Sequence, residues 1–583
     1  GSRLFQNDGC GNFIAGASAG LAVTATNNPK FNILIGCSAG RKIKTSCYNV
    51  MLGNNAGCCI AIGSGQNTLI GVSAGNKLGQ ENGSPNGNTF LGFTAGAEAI
   101  NAQYNVAIGH HAGKGTIGCT GGSCNIAIGF RAGCLQKSSN NNNIFIGRLT
   151  GLANSTGCDN IFMGDSAGAC NISGGGNLAF GQEALNQNLT GGSNVVMGHS
   201  AGKNNLTGGR NIFLGNLTGC LNTTGTGNVA IQCGAMRCNV SGTFNVAIGN
   251  NAGRENISGC CNLYLGMSAG LGNTVGTSNI ALGTNSMICS TCGGGSIAIG
   301  DDASRCSKSN LNIAIGRQAL RNNNEGGVSQ LNLAIGDCAL YGGTGGSGSC
   351  GNIAFGVAAG LSHTSGLGNI FIGCCAGKSS SCTSYNINIG AYAGCANTTG
   401  KCNVIIGRLA GQNGTASLNT IVGDAAGQDT SGGCNALFGS CAGCDLSTGE
   451  YNVVFGAKAG TKLHSGSCNI AIGNMTAAFN NVTGTHNIMM GNRAGSRLTS
   501  GGQNAFIGPS AGRYVTSGSR NFAVGGQSSY CLTVGNDNIG IGACSNRCLA
   551  SGLDNIAIGR CSGYLNTTTH GNVSIGHSAG YGV

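Results

Sequence analysis

The chain has 583 residues, of which 112 are glycine, three are proline and none is tryptophan. Only 8% of its residues are charged, about a third of the usual share, which argues against an ordinary set of globular domains. The 40% of hydrophobic residues and the small net charge of +12 argue against disorder. Scarce proline and the lack of glycine at every third position exclude collagen, so a repetitive β structure with a thin core remains.

A short motif, seen as NVAIGNNAG at 245–253, recurs along the whole chain. Its first asparagine defines position 1 of a coil and returns every 17 residues between residues 143 and 279. We count 34 occurrences, in two of which Cys59 or Ser296 replaces the asparagine. The spacing elsewhere is 16 to 21 residues, except for spacings of 10 and 8 around Cys59, which predict an irregular half-coil near 49–71.

Coil positions 2 and 4 are mostly Ile, Val, Leu, Phe or Met, and this alternation predicts a short strand. Position 8 is small, so we expect positions 2, 4 and 8 to form the apolar columns of a narrow interior. Position 5 is glycine in every coil but the one with Gln232, which predicts a positive φ or a close backbone approach. Asn-x-Thr-Gly sequences such as 222–225 are typical of turns.

A 17-residue unit with one short strand cannot bury its apolar side chains alone, whereas stacked units can. The sequence therefore predicts an all-β fold, a single elongated parallel β-solenoid (a β-roll or β-helix) of about 33 coils. Residues 1–583 are expected to form one continuous array with no separate globular domain. Coils about 4.8 Å apart would give a rod on the order of 160 Å long.

Coil position 3 should then point away from the interior, yet many coils carry a large apolar residue there. Apolar residues on both faces of a strand imply that both faces are covered. Either the second half of the coil or another chain would cover this one. The apolar contact column predicted on this basis comprises Phe145, Phe162, Phe213, Tyr264, Phe371 and Phe506.

The 33 cysteines point to an oxidising, extracellular compartment. Residues one coil apart should lie about 5 Å apart, inside the Cα range that a disulfide accepts. We predict coil-to-coil disulfides, with free or intermolecular thiols as the alternative, and the odd total leaves at least one cysteine unpaired within the chain. The candidate pairs are Cys289 with Cys306, Cys531 with Cys548, Cys544 with Cys561, and Cys220 with Cys238.

Glycosylation sequons recur in the second half of successive coils, where they predict a stripe of glycans along a secreted protein. The alternative is that Asn-x-Thr-Gly is simply the turn that the coil needs, since glycans on every coil would be closer together than their own width. The candidate asparagines are Asn154, Asn171, Asn188, Asn205, Asn222, Asn239, Asn256, Asn397 and Asn566.

No pattern indicates a catalytic, cofactor-binding or metal-binding residue, so we expect no enzyme. Paired carboxylates for acid–base catalysis must be neighbours, whereas the four aspartates at coil position 6 lie in distant coils. They are Asp165, Asp301, Asp337 and Asp424. No cysteine or histidine lies at a spacing that would complete a zinc site with His110 and His111.

Lysine and arginine are scattered singly except for a small cluster at 41–44, so we expect no nucleic-acid partner. No apolar run approaches the roughly 18 residues that span a bilayer. We therefore expect no membrane span.

The repeat resembles the Asn-x-Ala-Ile-Gly-x-x-Ala repeat of trimeric autotransporter adhesin heads, which are left-handed parallel β-rolls with a shorter coil. With Asn-Thr-Thr-Gly at 222–225 and 397–400, it is also similar to repeats in predicted phage tail fibres and in large surface proteins of aquatic microbes and viruses. The resemblance covers nearly the whole chain. It implies a β-roll on a cell or virion surface.

We therefore expect a structural subunit of an extracellular filament or surface appendage, with the shaft of a virus or phage tail fibre or an adhesin as the alternative. The expected partners are copies of itself, end to end or side by side, and glycans. Residues 1–11 form a partial coil and the chain ends at Val583, halfway through another. One could complete the other in the next subunit, a head-to-tail contact that generates filaments.

Overall fold

The computed structural model describes residues 6–7, 9–24, 26–63, 65–80, 83–116, 122–137, 141–291, 293–306, 310–322, 330–342 and 349–582. The partial coils proposed to meet end to end include residues 1–5, 8 and 583, which lie outside these ranges. The chain divides into two compact units, residues 1–294 and 295–583.

In the first unit nearly every strand has three residues and follows the asparagine of its coil. The strands are β1 (Gln6–Asn7), β2 (Phe13–Ala15), β3 (Ile33–Ile35), β4 (Val50–Leu52), β5 (Thr68–Ile70), β6 (Thr89–Leu91), β7 (Val106–Ile108), β8 (Ile126–Ile128), β9 (Ile144–Ile146), β10 (Ile161–Met163), β11 (Leu178–Phe180), β12 (Val195–Met197), β13 (Ile212–Leu214), β14 (Val229–Ile231), β15 (Val246–Ile248), β16 (Leu263–Leu265) and β17 (Ile280–Leu282).

The second unit repeats this plan with two short additional strands, β21 and β23. Its strands are β18 (Ile297–Ile299), β19 (Ile313–Ile315), β20 (Leu333–Ile335), β21 (Ser349–Cys350), β22 (Ile353–Phe355), β23 (Gly366–Leu367), β24 (Ile370–Ile372), β25 (Ile387–Ile389), β26 (Val404–Ile406), β27 (Thr420–Val422), β28 (Ala436–Phe438), β29 (Val453–Phe455), β30 (Ile470–Ile472), β31 (Ile488–Met490), β32 (Ala505–Ile507), β33 (Phe522–Val524), β34 (Ile539–Ile541), β35 (Ile556–Ile558) and β36 (Val573–Ile575).

Within each unit the three-residue strands pair in parallel and in register with those of the next coil. Val246 in β15, for example, lies opposite Leu263 in β16, and Val453 in β29 lies opposite Ile470 in β30. The rest of each coil is the crossover that a parallel pair requires. β1 differs, because it pairs antiparallel with β2, and β21 pairs separately with β23. The predicted all-β parallel solenoid with coils of about 17 residues is thereby confirmed.

The predicted orientation of the strands is wrong: coil position 3, and not positions 2 and 4, faces the interior. In β15 the central Ala247 is fully buried, whereas Ile248 is 37% exposed. Alternation with a period of two shows that a strand has two faces but does not show which face is inside. The small residue expected at position 8 is buried as predicted, as at Ala252.

The predicted contact column forms the core. Its six members are fully buried: Phe145, Phe162, Phe213, Tyr264, Phe371 and Phe506. These side chains are covered by the second halves of the coils and not by another chain, which is the first of the two alternatives given above. Glycine at position 9 makes the room, because a Cβ on Gly151 would lie 2.6 Å from the Phe145 ring. At the buried end of Tyr264, the hydroxyl accepts a hydrogen bond from the Asn273 amide.

The glycine at position 5 is required by both backbone conformation and contact. Gly249 has a φ of +141°, and a Cβ there would lie 2.3 Å from the carbonyl oxygen of Gly266 in the next coil. Gln232 occupies the same position at a φ of +87°. The sequence had predicted this role for position 5, and the structure confirms it.

The asparagines of position 1 form a buried hydrogen-bonded ladder. The backbone N–H and the Nδ2 of Asn245 donate to Oδ1 of Asn228 at 3.0 and 3.1 Å. Nδ2 also donates to the Gly259 carbonyl at 2.8 Å. Each amide therefore satisfies backbone groups in two neighbouring coils, as buried polar groups require.

In the described residues 49–63 and 65–71, the motif at Cys59 does not begin a strand of its own, unlike the irregular half-coil predicted near 49–71. β4 pairs directly with β5 in register. The asparagine ladder runs from Asn49 to Asn67 without including Cys59. Ile60 lies buried in the second half of this coil, outside any strand. The sequence around Cys59 resembles the motif because Ile60, in the second half of the coil, also points into the interior.

Candidate functional surfaces

The outer face of the sheet in each unit carries two apolar columns, formed by coil positions 2 and 4. In the 33 three-residue strands of the described residues, none of these positions holds a charged residue and only three hold threonine. Neighbours in a column shield one another, yet Phe355 is 55% and Phe455 58% exposed. Apolar patches of more than a few hundred Å² mark interaction sites in soluble proteins.

We call this surface the outer strand face. Its more exposed members in the first unit include Phe13, Ile33, Ile35, Leu91, Met197, Ile212 and Ile248. Those in the second unit include Ile299, Ile353, Phe355, Val453, Phe455, Ile488, Met490, Phe522 and Ile541.

The glycan stripe predicted from the sequons is not compatible with this structure, because the asparagines are buried. All nine candidates are at most 3% exposed: Asn154, Asn171, Asn188, Asn205, Asn222, Asn239, Asn256, Asn397 and Asn566. A glycan would be attached at Nδ2, and a buried Nδ2 has no room for one. The alternative, that these asparagines build the turn, agrees with the structure.

Seven of these asparagines, from Asn154 to Asn256, form a second ladder at coil position 12. Nδ2 of Asn222 donates to Oδ1 of Asn205 in the preceding coil at 2.6 Å and to the Gly225 carbonyl at 3.0 Å. Both hydrogens of the amide are thereby used. Asparagine is suited to this position because a single side chain donates twice and accepts from the following coil.

Two of the candidate disulfide pairs fall at the same position of consecutive coils within one unit, and their formation stays a prediction. Cys531 and Cys548 occupy position 11 of consecutive coils. Burial is the main cause that raises the pKa of Cys531, and the neighbouring Cys548 thiol raises it further. The pKa of Cys544 is likewise raised, mainly by burial and to a smaller extent by the neighbouring Cys561 thiol.

The other two candidate pairs differ in their surroundings. Burial raises the pKa of Cys220, which is 8% exposed, while Cys238 is half-buried one coil on. Cys289 lies in the first unit and Cys306 in the second. Both pairings stay predictions.

A pair of adjacent thiols was missed by the sequence reasoning. The Sγ atoms of Cys58 and Cys59 lie 3.8 Å apart. The hydrogen bond from Cys58 lowers the pKa of Cys59 to about 6, and Lys42 and Arg41 add to the effect. The signal was available, because the Cys-Cys pair lies one coil after the basic cluster at 41–44.

Three of the four aspartates at coil position 6 take part in ion pairs between coils. Arg148 donates to Asp165 at 2.7 Å, and this hydrogen bond lowers the pKa of Asp165. The same arrangement joins Arg317 with Asp337 at 2.7 Å and Arg408 with Asp424 at 3.0 Å. Exposed pairs of this kind contribute little to stability, because solvent screens the two charges. Asp301 also lies at an exposed corner.

His110 and His111 lie on the surface among aromatic and basic residues. The His110 ring stacks between Phe93 at 5.0 Å and Phe130 at 5.4 Å. Burial and then the neighbouring His110 lower the pKa of His111. Within the described ranges, no group of three or more His, Cys, Asp or Glu residues is placed to hold a metal ion.

A column of alternating arginine and tyrosine runs along coil position 10 of the second unit. Its members include Arg513, Tyr530, Arg547 and Tyr564, each one coil from the next. The Arg513 guanidinium lies 5.7 Å from the Tyr530 ring centre, and that of Arg547 lies 5.4 Å from the same ring. Arg513 and Arg547 look scattered in the sequence, although their spacing of 34 residues is twice the coil period.

No protein-family model matches the chain, and no curated protein matches it. In the part of the chain that the structure describes, no helix has the length and apolar character needed to cross a membrane.

Proposed function

We propose that the protein is a structural subunit of an extracellular filament or surface appendage, and that copies of it associate side by side through the outer strand face. The observation that carries this proposal is the apolar character of positions 2 and 4, which hold no charged residue in the 33 three-residue strands that the structure describes. A strand face that stays in water normally alternates with polar residues. This one has the composition of an interface core, from which charge is depleted.

A second copy of the chain fits this surface better than an unrelated partner does. The two columns repeat once per coil, about 4.8 Å apart. Another copy presents ridges with the same spacing, so contacts made in one coil recur in the next. An interface of about 800 Å² on each partner is enough for a stable complex, and columns running through many coils offer a surface long enough to supply it. The many half-exposed cysteines are consistent with an oxidising compartment.

The association is tested by placing charges on the outer strand face. The double variant Phe355→Glu/Phe455→Glu puts two carboxylates where the side chains are 55% and 58% exposed, so the fold should persist while a buried contact would be broken. The matched control is Ser173→Glu/Ser500→Glu, which adds the same charge at exposed turns. Sedimentation analysis should give an assembly for the native chain and the control, and a monomer for the phenylalanine variant.

A native protein that is monomeric at micromolar concentration would contradict the proposal. So would an assembly that both double variants preserve. Electron micrographs of native material distinguish the alternatives among assemblies. Long filaments support the filament subunit, whereas discrete particles with a fixed number of copies favour the shaft of a tail fibre or adhesin.

A further inference from the structure

A groove on the second unit brings arginine and aromatic side chains together without a carboxylate. Its volume is about 530 Å³. The lining residues are Phe479, Asn480, Arg493, Arg497, Arg513, Tyr514, Thr516 and Thr533. The groove lies on coil positions 7 and 10 to 13, away from the outer strand face at positions 2 and 4.

The positive charge of this groove is not neutralised by the protein. Residues 469–583 contain six arginines, two aspartates and neither lysine nor glutamate. Asp537 pairs with Arg520 at 2.7 Å. Among the described residues, no carboxylate forms an ion pair with Arg493, Arg497 or Arg513. Like charges held one coil apart repel each other, so a bound anion would stabilise the arrangement.

The guanidinium groups are held in place by aromatic rings. Arg497 lies 4.4 Å from the centre of the Tyr514 ring, and Arg513 lies 5.5 Å from it. Arg513 also donates from Nη1 to the Tyr530 hydroxyl at 3.0 Å. The Nε of Arg513 is buried and has no hydrogen-bond partner among the described residues, an arrangement that costs free energy unless a ligand or water accepts from it.

The floor of the groove is rigid. The Thr516 hydroxyl donates to the Thr533 carbonyl at 3.1 Å, and the Thr533 hydroxyl donates to the Ala550 carbonyl at 2.9 Å. The Asn480 amide donates to the Arg497 carbonyl at 2.7 Å. A ligand would therefore meet a preorganised wall and lose little affinity to ordering of the protein.

We propose that this groove binds an acidic polysaccharide, a linear chain of sugars that carry carboxylate or sulfate groups. Guanidinium groups bind such groups through paired hydrogen bonds. Arg497 and Arg513 lie one coil apart, about 5 Å, and Arg547 lies two coils beyond, about 10 Å. An extended sugar chain presents its anionic groups at comparable intervals, and the 49% exposed ring of Phe479 offers an apolar surface to a sugar.

The aromatic rings favour a sugar chain over a single-stranded nucleic acid. Nonspecific binding of single strands depends on bases stacking on successive open aromatic faces. Here arginines approach the rings of Tyr514 and Tyr530, and of the residues that line the groove only Phe479 has an aromatic face outside these contacts. The proposal does not depend on the side-by-side association.

Isothermal titration calorimetry tests the proposal with heparin and alginate as acidic polysaccharides, dextran as a neutral one, and oligothymidine as a nucleic acid. Arg493→Gln and Arg497→Gln should each weaken binding of an acidic polysaccharide about tenfold, or ~1.4 kcal/mol. The matched control Arg520→Gln removes the same charge from an arginine paired with Asp537 and should change binding less than twofold.

Arg497 packs on the Tyr514 ring, so its loss could disturb the wall of the groove. Arg493 makes no cation–π contact in the described ranges, so its variant tests the charge alone. Equal losses in the control and the groove variants would overturn the proposal, because they would indicate general charge attraction. Tighter binding of oligothymidine than of either polysaccharide would overturn it in favour of a phosphate backbone. Absence of binding by both polysaccharides would also overturn it.

Discussion

Replacing Phe162 by alanine should open the solenoid locally. Phe162 is fully buried, and its ring centre lies 5.5 Å from that of Phe145 in the preceding coil. Gly168 lies against the ring, since a Cβ added there would lie 2.4 Å from it, and glycine has no side chain to fill the cavity. Removal of a buried phenylalanine costs about 3–5 kcal/mol, and poor refilling puts this site near 4 kcal/mol.

The matched control is Ile161→Ala in the same strand, where the half-buried side chain should cost about 1 kcal/mol. Because a solenoid coil contacts only its neighbours, the loss should be confined to adjacent coils. Hydrogen exchange followed by mass spectrometry should show exchange about a thousandfold faster around residues 143–194 in the phenylalanine variant, with no change in the second unit. Equal acceleration by both variants would refute the assignment of position 3 to the core.

Two further predictions concern the backbone and the thiols. Gly249→Ala should destabilise the first unit by at least about 2 kcal/mol in thermal unfolding, because of its φ of +141° and the carbonyl oxygen of Gly266 at 2.3 Å from the added Cβ. Gly526→Ala, whose Cβ would meet nothing closer than 3.6 Å, should be nearly neutral; a larger loss there would contradict the argument. Iodoacetamide at pH 7 should label Cys59, with a pKa of about 6, well before Cys444, whose pKa burial raises to about 11, because only the thiolate reacts. Below pH 6 the labelling of Cys59 should slow about tenfold per pH unit, and the difference between the two thiols should vanish in denaturant; equal native rates would show that the hydrogen bond from Cys58 does not stabilise the thiolate.

The fold could be predicted from the sequence because the period of the motif and the glycine at position 5 are required in each coil, whatever side chains surround that coil. A glycine that must accept a φ near +130° leaves the same signature in every coil except the one with Gln232. The period and the glycine do not show which face of the strand points to the interior. Ala247 and Phe213 occupy equivalent buried places, and a column that varies so widely in volume does not look like a core when read one residue at a time.

The sequons misled for a related reason. Asn-x-Thr-Gly suits both a glycosylation site and a turn whose asparagine points inward, and composition does not separate the two. The separating fact is three-dimensional: Asn222 accepts and donates along the coil axis, so its partners are a whole period away in sequence. The asparagines at position 12 recur with the same 17-residue period as those at position 1, and this spacing was the signal in the sequence that they are buried.

The outer strand face and the groove can act at the same time, because they occupy different parts of the coil. Positions 2 and 4 are separated from positions 10 and 11 by the buried alanine and glycine of positions 8 and 9, as at Ala511 and Gly512. Association through the strands would therefore leave the arginine and tyrosine column on the surface of the assembly. Side-by-side copies would present parallel rows of guanidinium groups, so that one polysaccharide chain could contact several subunits. Since multivalent contact raises apparent affinity without any new contact type, the Phe355→Glu/Phe455→Glu variant should bind long heparin more weakly than the native assembly but short heparin fragments equally well.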